Sequence, residues 1–425
     1  MSDELPILLH IGGPKAGSSA LQHDLTWNPV RPAVDRPEVT YEYVALTGRG
    51  ELRRGGGLAE MASRFAAHYA FSTSLEQFVN LPRGRIQTCV AELRTMRQSG
   101  VIPVLSYENW IHSDRSLVEA FVTALGGPLE VVAYVRNPVS WLTSSFWQRH
   151  GAEPLPIDEW IAAFLPYTRW AGHLEIWRSL PAINRLTVRV AEGGIAQDFC
   201  HTLGCKASPT DVRHNMSMPG AFARFIWRHR MPAETSMSEI KFAWWRWCNA
   251  LDDGESLTKA LGRPPRVFGQ RQVETIIAET TEAARSLLTF CEGETANQIR
   301  SDPRWWSSAA AVHGLDGPDA GDLPDDALQA DADSLLAVTL QALLAADAAW
   351  RRAKFTADES LRQALHRIEA LEHEARVASA GADHVRKDLE HRCQHVESLL
   401  LAAEGRMRGL RRRGCLPRPW LRKSA

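Results

Sequence analysis

The chain has 425 residues, with 49 lysines and arginines against 50 aspartates and glutamates, so its formal net charge is −1. That balance excludes a globally basic nucleic-acid binder, and the length allows one large α/β domain plus an appendage. Seven scattered cysteines and the lack of any uncharged stretch of bilayer length lead to the expectation of a reduced, cytoplasmic protein without a secretory leader or transmembrane segment.

The first element lies in Leu5 to Leu21, LPILLHIGGPKAGSSAL. Ile7, Leu8, Leu9 and Ile11 form a nearly continuous apolar run, the pattern of a strand buried on both faces of a parallel sheet. Gly12, Gly13 and Pro14 end it, Gly17 lets the backbone approach a ligand, and Ser18 and Ser19 open a helix. Free amides at a helix start, the positive end of its dipole and Lys15 together make an anion site. A nucleoside-triphosphate loop reads G-x-x-x-x-G-K-[ST], with lysine after the second glycine. Here the order is P-K-A-G-S-S, which resembles the 5′-phosphosulfate loop, P-K-[TS]-G-[ST]-[ST], of sulfotransferases that use 3′-phosphoadenosine 5′-phosphosulfate (PAPS) as donor. The resemblance gives donor binding to Gly13, Pro14, Lys15, Ala16, Gly17, Ser18 and Ser19, with Ala16 standing where the family has a hydroxyl.

After this helix, prolines interrupt the chain and VTYEYVAL is the only strand-like piece before a glycine- and arginine-rich segment, Gly48 to Gly57, that reads as a mobile loop. In sulfotransferases that act on sugars, this region commonly supplies an acidic general base, and Glu42 in TYEY is the position most similar to it; an exposed edge-strand glutamate is the plainer reading. Arg49, Arg53 and Arg54 suit an anionic glycan or, as more often, solvated loop charge. Leu58 to Ser99 reads as two or more helices, the first holding His68 among apolar neighbours, where a core histidine and a proton acceptor are both possible.

Val101 to Leu105 form a further strand, followed by Ser106, Tyr107, Glu108 and Asn109. This resembles the S-S-E turn of bacterial sulfotransferases, which makes Glu108 the second base candidate, with a structural carboxylate as its alternative. Leu129 to Gln148, LEVVAYVRNPVSWLTSSFWQ, again reads strand, turn, helix, with Arg136 at the carboxyl end of the strand. It resembles the family's second signature, R-D-P-x5-S-x-[YW], whose arginine and serine hold the donor's 3′-phosphate. Those roles fall on Arg136 and Ser144, with Asn137 in place of aspartate and Phe146 at the aromatic position.

From Gly151 to Ile299 the pattern is mostly helical, with a strand at Arg185 to Val190 and many tryptophans, among them Trp160, Trp170, Trp177, Trp227, Trp244, Trp245 and Trp247. Most of these read as core, and tryptophan faces also stack on sugars. HNMSMPGAF resembles the N-x-S-[LM] turn after the last core strand of bacterial sulfotransferases. Cys200, His201 and Cys205 are the only near-cluster of metal-ligating types and read as a helix face.

The expected organisation is an α/β domain over residues 1–314, an acidic linker over 315–334, a helical or coiled-coil region over 335–412 and a basic tail over 413–425. In the heptad register from Leu361 to Leu410, Glu372, Ser379 and Arg386 occupy core positions and Gly381 weakens the helix, so a hairpin or two shorter helices compete with a continuous coil. These helices would make a homo-oligomer or recruit a partner protein, and the basic tail would touch an anionic membrane surface, an acidic partner or the acidic linker, with an unstructured solvated tail as the plainer reading. The resemblance implies a P-loop three-layer sandwich around a central parallel sheet and metal-free sulfuryl transfer from PAPS to a hydroxyl or amine of a carbohydrate or glycolipid acceptor. Lys15 would be catalytic, with the proton acceptor chosen in the order Glu42, Glu108, His68. A non-catalytic scaffold of the same fold and, less well matched by the lysine order, a P-loop kinase are the alternatives.

Overall fold

The computed structural model describes residues 4–64, 69–149, 156–206 and 267–313, together with residue 367 and short stretches between 394 and 406. The chain divides into two compact units, Met1–Ser238 with Thr258–Leu323 and Glu239–Leu257 with Pro324–Ala425. In the second, the described residues are helical. Most of the heptad register, the linker, the basic tail, His68, the HNMSMPGAF turn, Trp227 and the Trp244–Trp247 cluster lie outside the described residues.

The first unit opens with β1 (Ile7–His10), α1 (Ser18–Trp27), β2 (Val30–Pro32), β3 (Thr40–Tyr43), β4 (Ala45–Leu46) and β5 (Leu52–Arg53). Three helices follow, α2 (Gly56–Arg64), α3 (Leu75–Val79) and α4 (Arg83–Gln98), then β6 (Val101–Ser106), α5 (Arg115–Leu125), β7 (Leu129–Val135) and α6 (Pro138–Arg149). The remaining described elements are α7 (Ile157–Phe164), α8 (Trp170–Arg178), β8 (Ile183–Val190), α9 (Ile195–Leu203), α10 (Gln270–Leu287), α11 (Gly293–Ser301) and α12 (Ser308–His313). The fold is α/β, and its six-stranded sheet runs in the order β2-β3-β6-β1-β7-β8. All neighbours pair in parallel except β2, an antiparallel edge strand on β3. Prolines hid β2 from the sequence, and Pro32 is tolerated because a strand at the edge needs hydrogen bonds on one side only.

Apolar residues on the two faces of each central strand enter two different clusters, because side chains alternate along a strand. Ile7, Leu9, Leu105, Val131, Ala133 and Val135 pack with the apolar stripe of α5 (Val118, Phe121, Val122, Leu125) and with residues of α4, α6, α7, α8 and α10. Leu8, Val104, Val132 and Tyr134 pack with residues of α1 and α9. Helices therefore cover both faces, an arrangement compatible with a three-layer sandwich. Trp160, Trp170 and Trp177 are buried in the first cluster, as a core reading requires.

One local expectation is corrected. The Gly48 to Gly57 segment forms a hairpin rather than a mobile loop: Leu46 pairs with Leu52 and Ala45 with Arg53, and Gly50 at φ 74 makes the turn. Among the described residues, no helix is long and apolar enough to cross a membrane.

Candidate active site

Three strand ends meet at one edge of the sheet. β1 lies between β6 and β7, so the segments that follow these strands, carrying Lys15, Glu108 and Arg136, leave neighbouring positions on the carboxyl edge. The chain crosses β6 to reach β3 and later returns to place β7 on the other side of β1, a reversal of strand order of the kind that opens a ligand crevice.

The loop after β1 is held in an unusual backbone. Lys15 has φ 65 and is the only non-glycine residue with positive φ among the described residues. Gly17, at φ 83, precedes α1, and a side-chain carbon on it would lie 2.5 Å from Ile195 Cγ1. No side chain caps α1, which leaves the positive end of its dipole for a ligand. Ala16 is fully buried in the cluster beneath α1. Its methyl packs inward.

The second turn locks onto the first. Arg136 Nη1 donates to the Lys15 carbonyl at 3.2 Å, the Trp141 indole donates to the Pro14 carbonyl, and the Trp170 indole donates to the Arg136 carbonyl at 2.9 Å. The Trp170 ring lies against Gly13, where an added side-chain carbon would stand 2.8 Å away. Asn137 accepts from the Ser140 amide at 2.9 Å, so it does the helix-capping work open to an aspartate. Ser144 lies half-buried on α6 in the second turn.

Arg136 forms no ion pair among the described residues. Burial lowers its pKa, and the nearby Arg304 guanidinium lowers it further, against an opposing pull from Glu192. Arg304 itself is paired with Glu192 and Asp302. Two guanidinium groups close together, one unpaired by a carboxylate, make an electrostatic seat for an anion. Arg304 carries no motif, and only the folded chain brings it to the sheet edge.

The base candidates separate. Glu42 is buried on β3 and held by Arg54, whose Nε and Nη2 donate to its two carboxylate oxygens at 2.8 and 2.6 Å. It pairs with Pro103 and is level with the start of β1, and it faces away from Tyr41 and Tyr43, which share the cluster of α1. The structure thus does not bring Glu42 to the loop. Glu108 it does. Tyr69, a residue with no sequence signal, shares a hydrogen bond with Ser19 in the first turn of α1 and feels the Glu108 carboxylate. Burial first, and then Glu108, push its hydroxyl up to about 12, so Tyr69 stays a donor at neutral pH.

A cleft of about 560 Å³ opens beside Tyr107, the neighbour of Glu108. Phe71 and Tyr107 present aromatic rings to it, Thr47, Thr73, Ser74 and Gln77 present polar groups, and Arg49, Arg53 and Arg64 line it. Arg53 and Arg64 are paired with Glu51 and Glu60. The Ser72 amide donates to the Ser106 carbonyl and the Tyr107 amide to the His10 carbonyl, which ties the cleft to the ends of β6 and β1.

Cys200 accepts from Arg31 at 2.9 Å and is buried with Cys205, whereas His201 is exposed, so the three do not converge. Among the described residues, no group of three or more metal-ligating side chains is present.

His10, at the end of β1, is fully buried, and burial lowers its pKa to about 3. The unfolded chain binds a proton below about pH 6.5 and the native chain does not until about pH 3, so stability is lost as pH falls across that window. At pH 5 the wild type is expected to have lost about 2 kcal/mol of unfolding free energy to this one group. Urea unfolding at pH 7 and pH 5 checks it: the loss should be absent from His10→Gln, and equal slopes in both proteins would contradict the assignment. In comparisons with known proteins, no family model and no curated protein matches the chain.

Proposed function

We propose that the protein is a sulfotransferase that moves a sulfuryl group from PAPS to a hydroxyl of a carbohydrate acceptor. The observation that carries this reading is the convergence of the two signature-like turns: the Lys15 carbonyl accepts from Arg136, and the Trp170 indole bridges Gly13 and the Arg136 carbonyl. The residues present fit such a donor. Glycines at 12, 13 and 17 leave no room for side chains, the start of α1 is uncapped, and a guanidinium without a carboxylate partner among the described residues stands beside it.

PAPS supplies an activated sulfuryl group, whose bond to the phosphate oxygen breaks as a bond to the acceptor oxygen forms. The chain's own task is alignment and charge neutralisation. Lys15 and the amides at the start of α1 would meet the 5′-phosphosulfate end, while Arg136, with Arg304 close by, and Ser144 on α6 would hold the 3′-phosphate. Glu108 would take the acceptor's proton, and the Tyr69 hydroxyl, protonated at neutral pH, would orient the carboxylate or the attacking oxygen. The cleft supports a carbohydrate acceptor because aromatic rings meet sugar faces while hydroxyl, amide and guanidinium groups meet sugar oxygens.

Glu108→Gln is expected to lower kcat by about 100- to 10,000-fold while donor affinity stays nearly constant. Mass spectrometry of an oligosaccharide panel incubated with PAPS tests the function directly. Donor-dependent sulfation that falls in Glu108→Gln supports it, and sulfation equally fast with Glu108→Gln removes Glu108 from the chemistry. PAPS left untouched with every acceptor argues against transfer.

A further inference from the structure

The loop after β1 rests on a histidine that the proposed reaction does not use. His10 Nδ1 lies 2.7 Å from Ser106 Oγ, and that oxygen accepts from the Gln22 side-chain amide at 3.0 Å. With the Gln22 amide donating to Ser106, the Ser106 hydrogen is free to go to His10 Nδ1, which leaves the imidazole proton on Nε2. Among the described residues Nε2 has no hydrogen-bond partner, and a buried donor left unsatisfied is destabilising. Nε2 faces the loop. A side-chain carbon on Gly12 would lie 2.7 Å from it and 2.6 Å from Ser18 Oγ, so both atoms converge on a space that exists because residue 12 is glycine. Ser18 is almost fully buried, and its hydroxyl reaches only the Gly13 carbonyl, at a long 3.4 Å.

We propose that His10 is a positioning residue for the anion site: when the ligand binds, its Nε2–H, without a partner among the described residues, donates to Ser18 Oγ and turns the Ser18 hydrogen from the Gly13 carbonyl onto an oxygen of the bound 5′-phosphate. The inference rests on the donor-site reading above. The chain then runs Gln22 to Ser106 to His10 to Ser18 to ligand, with each of the three middle residues both accepting and donating. No proton changes its atom; only orientations change. Burial that keeps the imidazole neutral suits this role, since a neutral ring has one donor and one acceptor.

The test is a double-mutant cycle read by calorimetric titration with 3′-phosphoadenosine 5′-phosphate (PAP), the desulfated donor, on the full chain. Asparagine at position 10 can keep the Ser106 contact but has nothing where Nε2 stands, whereas glutamine can place its amide there. His10→Asn and Ser18→Ala are each expected to weaken PAP binding by about tenfold, and the double variant no further than either alone. His10→Gln is expected to bind within about threefold of the wild type, and it also covers the case in which His10→Asn does not fold. Additive losses in the double variant, wild-type affinity in His10→Asn, or equal losses in the glutamine and asparagine variants would overturn the relay. If the wild type ignores PAP but binds inorganic pyrophosphate, the sulfotransferase reading fails while the same cycle, run with pyrophosphate, still decides the role of His10. Binding of neither overturns both.

Discussion

Lys15→Ala is expected to lower kcat by about 100- to 1000-fold, the cost of removing one preorganised charge from the oxygen on which charge develops. Backbone geometry is not the cause of that loss. Lys15 sits at φ 65, and alanine meets the same left-handed strain as lysine, so the carbonyl that accepts from Arg136 keeps its place. PAP affinity is also expected to fall, because PAP keeps the leaving oxygen with its charge fully developed, whereas PAPS affinity should change by less than about threefold, since little charge sits on that oxygen before transfer. Steady-state kinetics beside calorimetry with PAPS separates the two: a fall in PAPS affinity as large as the fall in kcat would make Lys15 an ordinary binding residue.

Arg136→Lys is expected to weaken PAP binding by about 30- to 100-fold despite keeping the charge. An ammonium has three donors but no planar fork, so it cannot give a phosphate two parallel hydrogen bonds while also reaching the Lys15 carbonyl, which Arg136 bonds from Nη1 at 3.2 Å. The variant also leaves Arg304 without a second planar partner at the seat. Adenosine 5′-phosphate, which lacks the 3′-phosphate, isolates the effect. Its affinity should hardly change between the wild type and Arg136→Lys, and a parallel loss for both nucleotides would move Arg136 away from the 3′-phosphate.

The legible parts of the chain were those whose chemistry is local. The apolar run Ile7 to Leu9 and the turn with Lys15 and Gly17 announce a buried strand and an uncapped helix start, because period and glycine placement are written in consecutive residues. Arg136 at the end of β7 is legible for the same reason. Pairings between distant residues are not written that way. Glu42 looks like a base in TYEY, yet Arg54 closes on it from twelve residues away and makes it the buried half of an ion pair whose arginine is exposed. Tyr69 and Arg304 have no motif and reach the site only through the path of the chain. Gly48 to Gly57, rich in glycine and arginine, reads as mobile because such composition marks loops, but two cross-strand pairs and a turn at Gly50 suffice for a hairpin. Ala16 lies in the same turn as Lys15, yet its full burial is set by the packing beneath α1 and is not written in its neighbours.

The measurement that tests the donor site most directly is calorimetric titration of the wild type, Lys15→Ala and Arg136→Ala with PAP, with ATP and magnesium as the comparison. Saturable binding of PAP to the wild type, weakened in Lys15→Ala and by more than about 100-fold in Arg136→Ala, with no binding of ATP, is the predicted result. Binding of ATP with magnesium but not PAP, or PAP binding that is indifferent to Arg136, would contradict it.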